Sequence, residues 1–560
     1  MKILKFSKKY LGQYIFQLTI FVMLSLVSTA IGILSPYIIG AFLDTLILGG
    51  DIHAILRFSA IFGGLNIIRI LKGYITSIMY IKIKTKMSYD LNGDAIKHIQ
   101  NSSLSYINQN NSVYLNHRVN LDANEIITFC ITIMQSIATN VVMLIVPFAI
   151  LLYMNPLMAL ALTGFLILYV ILYFTFKNPL YKSNLALKEF QNKFFSSLFE
   201  QLKYIKLIKL NAIQREMNRR MDMDFVPFRN AAIRRQKVSY LYSGLDGFVS
   251  TLAQIVLFVI GGYQILVGNF TIGMFTVFTS YFSMMLGASR YFFGLGASYQ
   301  QTLVAFDRIT EIFSQEIEIC GDEVLDDIWK IELCNVSFSY IANDKDESSD
   351  NKKILRNFNA IFEKGKIYAI TGGNGAGKST LINLMMGMYI KEFHGSISYN
   401  GIDVRSINME KARRTLLGIT AQEPMLISDT IRYNLTFESS DDAEYKENSQ
   451  HNTNQQQALD AHLQTLNMTD FIAKNTLELT INDKNTSTSG GEKQKIAILN
   501  VLMKDSAVMI FDEPTSALDK QTSENLMAYL CQIKRDKIII LITHDNHGIR
   551  LCDEIVDMAV

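Results

Sequence analysis

Residues 126–176 contain no Asp, Glu, Lys or Arg, an unbroken run of 51. One helix of that length would be about 76 Å long, more than twice the ~30 Å hydrocarbon thickness of a bilayer. Asn155-Pro156 interrupts it near the middle, and proline is tolerated at a helix start far better than inside one. The run therefore predicts two apolar helices joined by a very short connection. Residues 10–43 are also charge-free (34), as are residues 247–289 (43), the latter broken at Gly268-Asn269. A weaker stretch at 54–81 carries charged residues, Arg69 and Lys72 among them. Together these runs predict six membrane spans, near 15–45, 54–81, 127–154, 156–177, 240–267 and 271–300. Lys2, Lys5, Lys8 and Lys9 precede the first span. The apolar stretch after them is too long for a cleaved signal peptide and reads as an uncleaved span with a basic flank.

Charge then sets the orientation. The connection at 82–125 carries Lys82, Lys84, Lys86, Lys97 and Arg118, and the one at 178–239 carries thirteen Lys and Arg residues. The connections near 46–52, 155 and 268 carry none. Positive-inside reasoning places both long connections and both termini in the cytoplasm. Both connections keep helical periodicity, with apolar positions such as Leu104, Ile107, Leu187, Phe190, Phe194, Leu198 and Ile205, so they read as helices running past the bilayer and turning back. Their basic residues read as a solvated face, with an anionic-lipid contact as the alternative. Arg69, Lys72, Asp246 and Arg290 lie in or at the edge of spans, where snorkelling or local ion pairing competes with a functional role. The aromatics Tyr281, Phe282, Phe292 and Phe293 read as packing residues, with a cavity lining as the alternative. A formal net charge of +2 makes no case for a nucleic-acid partner. The five cysteines, at 130, 320, 334, 531 and 552, have no metal or redox spacing and read as reduced thiols.

From about residue 331 the composition becomes that of a soluble domain. Residues 367–370 read as a buried strand and 381–388 as a helix. Between them lies Gly372-Gly373-Asn374-Gly375-Ala376-Gly377-Lys378-Ser379-Thr380. Strand, glycine loop and helix make this G-x-x-x-x-G-K-[ST] pattern a phosphate cradle. Glycines let backbone N–H groups turn inward, and the helix N-terminus adds partial positive charge. Lys378 brings a full charge, and Ser379 offers a hydroxyl to Mg²⁺. Residues 507–511 read as an apolar strand delivering Asp512 and Glu513, a pair able to hold Mg²⁺ and to orient water. A further buried strand, 538–542, ends at Thr543-His544, where ligands collect on parallel sheets. The polar loop 344–353 and the polar tract 438–457 read as surface segments, the latter disordered.

At this point the chain resembles an ABC transporter half-molecule of the exporter type over nearly its whole length. The resemblance implies an all-α six-helix transmembrane domain (1–310), a linker (311–330) and an α/β P-loop ATP-binding domain (331–560). It implies that Tyr340 stacks on adenine, that residues 372–379 match Walker A, and that Gln422 is the glutamine-loop residue sensing Mg²⁺. Ser489, Gly490 and Gly491 match the signature, Asp512 and Glu513 Walker B, residues 516–519 the D-loop, and His544 the switch histidine. Tyr89, His98, Ser105 and the stretch 118–122 resemble the first intracellular loop, with coupling helices expected near 108–117 and 209–216. The cofactors implied are ATP and Mg²⁺. The partners implied are a lipid bilayer, a transported substrate (peptide, lipid-like or drug-like) and a second half-transporter whose signature completes each ATP site. Catalysis would rest on Glu513, His544 and Lys378.

The departures from the family pattern are specific. The signature reads Thr488-Ser-Gly-Gly-Glu492, with changes at its two ends, which admits a heterodimer as well as a homodimer. Residues 476–487 lack the usual Gly-Glu. The chain ends at Val560, where relatives usually continue with a hairpin and helices, so some edges there are expected to be uncovered. No protease-like domain precedes the first span, so export coupled to leader cleavage in the same chain is not expected. The competing reading is an ATP-gated module that does not pump, such as a sensor, channel gate or immunity component; intact Glu513 and His544 favour turnover.

Overall fold

The computed structural model describes residues 2–110, 115–116, 118–318, 320–340, 354–437, 449–470, 476–481 and 489–558. Two compact units emerge. One comprises Met1–Lys97 and Val113–Ser314, the other His98–Ser112 and Gln315–Val560.

The first unit is helical. After the amphipathic α1 (Lys2–Gln13) come α2 (Ile15–Ile47) and α3 (Ile52–Gln100). The short α4 (Leu104–Gln109) falls in the second unit. A π-helical turn at Arg118–Asp122 leads into α5 (Ala123–Met154), followed by α6 (Pro156–Lys203), the short α7 (Ile205–Leu210), α8 (Gln214–Leu266) and α9 (Ile272–Phe313). Six of these are long and apolar enough to cross a membrane, as the charge-free runs predicted. The break at residue 155 is built as expected: the Asn155 side chain accepts from the Met158 N–H and Pro156 takes the first helical position. α3 has 49 residues, about 74 Å, so most of the difference from a ~30 Å core projects beyond it. Tyr281 and Phe282 are buried with Phe278, Leu257 and Met158 in one core, and Phe293 stacks on Tyr173 at 5.0 Å. These aromatics pack. Large apolar side chains such as Tyr153, Leu157, Leu266 and Phe258 stay exposed, as lipid-facing residues do.

Of the ionisable groups singled out in the spans, Arg290 and Asp246 pair, Lys72 meets a backbone carbonyl and Arg69 is exposed. Arg290 of α9 meets Asp246 of α8 through two contacts, Nε–Oδ1 3.1 Å and Nη2–Oδ2 2.9 Å. Lys72 is buried and donates to the Leu24 carbonyl. Asp44, which the sequence marks only as the end of a charge-free run, caps α9: it accepts from Thr271 Oγ1 (2.6 Å) and the Gly273 N–H (2.7 Å). Gly273 must be glycine because a Cβ there would lie 2.1 Å from the Gly40 carbonyl oxygen.

The second unit joins two sheets. β1 (Lys330–Phe338), β2 (Leu355–Glu363), β4 (His394–Tyr399) and β5 (Ile402–Asp403) form an antiparallel sheet, in the order β2-β1-β4-β5. β3 (Ile367–Thr371), β6 (Leu417–Thr420), β7 (Val508–Asp512), β8 (Ile538–Ile542) and β9 (Glu554–Asp557) form a parallel sheet, in the order β6-β7-β8-β3-β9. Alternate strand residues feed opposite cores: Tyr368, Ile370, Val508, Ile510, Ile538 and Ile540 one, Ile367, Met509, Phe511, Ile539 and Leu541 the other. A parallel sheet covered on both faces explains why its strands read as continuous apolar runs. The helices of this unit are α10 (Lys378–Met385), α11 (Met409–Thr415), α12 (Ile431–Thr436), α13 (Ser449–Thr465), α14 (Gly490–Lys504), α15 (Lys520–Ile533) and α16 (Asn546–Arg550).

One expectation changes. The tract 438–457 is not wholly structureless, because α13 begins at Ser449. Leu459, Leu463 and Leu466 are buried at helical spacing, and their packing carries the polar turns that precede them. Residues 438–448 lie outside the described residues, as does the loop 344–353. Short helices stand at Leu104–Gln109 and Ile205–Leu210; of the stretch 108–117, where one such helix was expected, residues 111–114 and 117 lie outside the described residues. Ser103 caps the first by accepting from the Tyr106 N–H. The second ends at Leu210, Ala212 turns the chain at φ 51°, and α8 begins at Gln214.

Candidate nucleotide site

The register of the parallel sheet assembles the site. Ile370 of β3 pairs with Ile542 of β8, Asp512 of β7 with Ile542, and Thr420 of β6 with Phe511. The strands thus end level, and four connections leave the same edge. β3 delivers the glycine loop, β7 delivers Glu513, β8 delivers His544 and β6 delivers Gln422. Adjacent strands lie about 4.8 Å apart, so residues over 170 positions apart in sequence become neighbours at the carboxyl edge, where ligands bind on open α/β sheets.

The loop has the backbone its glycines were expected to permit. Gly377 has φ 94° and immediately precedes α10, a conformation costly for a residue with a Cβ. Lys378 Nζ donates to the Gly372 carbonyl at 2.7 Å and lies 3.1 Å from His544 Nε2. Gln422 Nε2 donates to Glu513 Oε2 at 3.0 Å, and His544 Nε2 stands 4.0 Å from Glu513 Oε1. Glu513 is held at φ 47°, while its N–H donates to the Ile542 carbonyl and its carbonyl accepts from Ser516 Oγ. A left-handed non-glycine residue costs on the order of 1–2 kcal/mol, and here the carboxylate stands against Gln422 and His544. Burial, and then the charge of Glu513, push the Asp512 carboxyl above the ordinary aspartate range; Lys378 opposes the shift.

Tyr340 is half-exposed and its hydroxyl lies 3.0 Å from Thr380 Oγ1. Asn374 and Ser379 are exposed beside it on the loop and the first turn of α10. Ser489 caps α14 through a capping box: its Oγ accepts from the Glu492 N–H at 3.3 Å, and its own N–H donates to the Glu492 carboxylate at 2.7 Å. The Ser-x-x-Glu spacing was readable as such a box, and Glu492 is more than a departure from Gln. Gly491 lies against the D-loop, where a methyl group would sit 2.6 Å from the Ala517 carbonyl oxygen. Thr488 is outside the described residues.

Among the described residues no three His, Cys, Asp or Glu side chains form a metal cage. Mg²⁺ at a phosphate site needs only one or two protein oxygens besides the phosphates, and Ser379 and Asp512 are hard oxygen donors of that kind. Sequence reasoning did not find Tyr389, which packs against Tyr340, or Asn108 and Glu392, which bond to Tyr389 and Ser105; none of them carries a motif.

Residues 18–289 match the family described as ABC transporter transmembrane region, and residues 355–516 match the family ABC transporter. These matches span most of the chain, which belongs to the ABC transporter family as an exporter half-molecule: a six-span transmembrane region fused to an ABC ATPase coupled to transport. It is a multi-pass membrane protein and, as a half-transporter, acts with a second half. Among its relatives is the lactococcin-G-processing and transport ATP-binding protein of Lactococcus lactis subsp. lactis, 26% identical over 95% of this chain and 73% of that protein. The ATP-dependent lipid A-core flippase of Syntrophus aciditrophicus is 24% identical over 86% of this chain and 78% of the flippase. A putative multidrug export ATP-binding/permease protein of Bacillus subtilis is 24% identical over 85% and 79%. A solved bacterial Atm1-family ABC exporter with ATP bound shares the fold, with a TM-score of 0.78 at 20% identity, covering 98% of this chain and 93% of that one.

Proposed function

We propose that the protein exports a peptide, lipid-like or drug-like substrate across the cytoplasmic membrane, with its ATP-binding domain, both termini and both long connections in the cytoplasm. The substrate classes follow those in the relatives' names, and the orientation follows the basic connections. The observation that carries the proposed catalytic roles is the convergence of Lys378, Gln422, Glu513 and His544 on one sheet edge.

In this reading the backbone of residues 372–377 and the N-terminus of α10 cradle the β- and γ-phosphates, with Lys378 turning from the Gly372 carbonyl to phosphate. Tyr340 stacks on the base. Ser379, Asp512 and Gln422 would hold Mg²⁺, whose charge would offset that of the phosphates. Glu513 places the attacking water and His544 steadies the γ-phosphate. Ser489, Gly490 and Gly491 present helix N–H groups to ATP bound on the opposite half. Transport follows because ATP favours one arrangement of the two halves and hydrolysis removes that preference.

Glu513→Gln tests the central role. The variant is expected to bind ATP with unchanged affinity while its turnover falls by about two orders of magnitude or more. An ATPase rate equal to that of the unaltered protein would remove Glu513 from the reaction.

A further inference from the structure

The segment His98–Ser112 belongs to the ATPase unit, and its attachment there is specific. The His98 ring nitrogen lies 3.0 Å from the Gln315 carbonyl, the Glu318 N–H donates to the Asn101 carbonyl at 2.7 Å, and Ser102 bridges to Ile317. Within α4, Leu104 packs on the core that holds β1 and α10. Ser105 Oγ donates to Glu392 Oε2 at 2.5 Å, and Asn108 Nδ2 donates to the Tyr389 hydroxyl at 3.1 Å.

Tyr389 is the point where this attachment meets the nucleotide site. Its ring is 2% exposed. It stands edge-on to Tyr340, with centroids 5.8 Å apart, and tilted against Phe338 at 5.1 Å. Burial, helped by the neighbouring Tyr340, pushes the Tyr389 hydroxyl up to about 12, so it stays neutral and able both to donate and to accept. Tyr340 in turn reaches Thr380 Oγ1 at 3.0 Å. Asn108, Tyr389, Tyr340 and Thr380 thus form a continuous series from α4 to the first turn of α10, through two hydrogen bonds and one ring contact.

This series responds to ligand for a simple reason. A phosphate arriving at the N-terminus of α10 offers oxygens to the Thr380 hydroxyl in competition with Tyr340, and a base stacking on Tyr340 reorients its ring. Either change alters the edge that Tyr340 presents to Tyr389. Tyr389 is too enclosed to move independently, because close-packed interiors pass on displacements.

We propose that Tyr389 is a positioning residue that links the base-facing Tyr340 to α4 through Asn108, so that occupancy of the nucleotide site is transmitted to the segment 98–112 by this route. The proposal rests on the reading that Tyr340 faces the nucleotide base.

The test uses the full-length protein in lipid nanodiscs, in a Glu513→Gln background that retains ATP. Amide hydrogen exchange of residues 104–110 is measured with and without MgATP, and affinity is measured separately with a fluorescent ATP analogue. With Tyr389 and Asn108 intact, MgATP is expected to change exchange in this segment. Tyr389→Phe, which keeps the ring and removes the hydroxyl, is expected to reduce that response by about fivefold, the effect of one lost hydrogen bond, with ATP affinity unchanged. Asn108→Ala alters an exposed residue and is expected to give the same loss, with no further loss in the double variant. A merely structural Tyr389 would lower stability without this shared loss. A full response in both variants overturns the proposal. So does a tenfold or greater fall in ATP affinity in Tyr389→Phe, which would make Tyr389 part of the binding pocket. If the unaltered protein does not bind the analogue at all, the nucleotide reading itself fails, and that outcome is distinct from binding without a response.

Discussion

Glu492 shows what one side chain changes at the residue scale. A Gln there would satisfy the same capping geometry without charge. Glu492 instead holds the Ser489 N–H at 2.7 Å with a carboxylate in the first turn of α14. A carboxylate is favourable at a helix N-terminus in isolation, but this terminus is proposed to meet a γ-phosphate from the other half. The carboxylate then competes with the phosphate for the same N–H groups and repels it. Glu492→Gln is therefore expected to lower the ATP concentration for half-maximal ATPase by about two- to fivefold, the usual range for a charge at a helix end. An unchanged half-maximal concentration would show that Glu492 swings clear of the phosphate. The residues of this site were legible in sequence because each lies in a short motif with a fixed local job. Their partners were not: nothing near Glu513 in sequence announces Gln422 or His544, and nothing near Tyr340 announces Tyr389.

At the scale of elements, α9 is tied at two levels. Near its start Asp44 of α2 caps it and Gly273 crosses Gly40 closely. Eighteen residues or so further on, Arg290 pairs with Asp246 of α8, and Tyr169 of α6 donates its hydroxyl to the Asp246 carbonyl at 2.9 Å. The pair lies at the edge of a charge-free run, where an unpartnered charge is costly. Asp246→Ala and Arg290→Ala are each expected to lower the thermal midpoint of the protein in detergent, and the double variant less than additively. The coupling energy from that cycle is expected to be on the order of 1 kcal/mol; additive losses would mean that the pair contributes no interaction. Charge-free runs placed the helices without saying which faces meet. The sequence left Asp246 and Arg290 open between snorkelling and pairing, and only the packing of α8 on α9 decided for the pair.

The whole molecule is a half-transporter, and the proposed site draws its signature from another chain. Lys378→Ala disables the phosphate loop of a copy and leaves its signature, whereas Ser489→Arg does the reverse. Each variant alone is expected to be inactive. Co-expressed as a homodimer, half of the pairs are mixed and each mixed pair keeps one whole site, so about a quarter of the normal ATPase rate is expected. Recovery would establish that the chain pairs with itself. No recovery, with each variant folded and membrane-inserted, would point to a different second chain.

The sequence by itself determined the six spans, the glycine loop and the strands that carry Asp512, Glu513 and His544. Each depends on composition or periodicity over a few turns or strands, and local physics is enough to read it. The tertiary structure alone decided that residues 98–112 join the ATPase unit, that Asp44 caps a helix more than 220 residues away, that α13 is ordered from Ser449 by three buried leucines, and that Tyr389 stands between Asn108 and Tyr340. Those outcomes depend on which surfaces are brought together by packing. A side chain's chemistry is written at its own position, but its partner is set by the burial of apolar surface elsewhere in the chain.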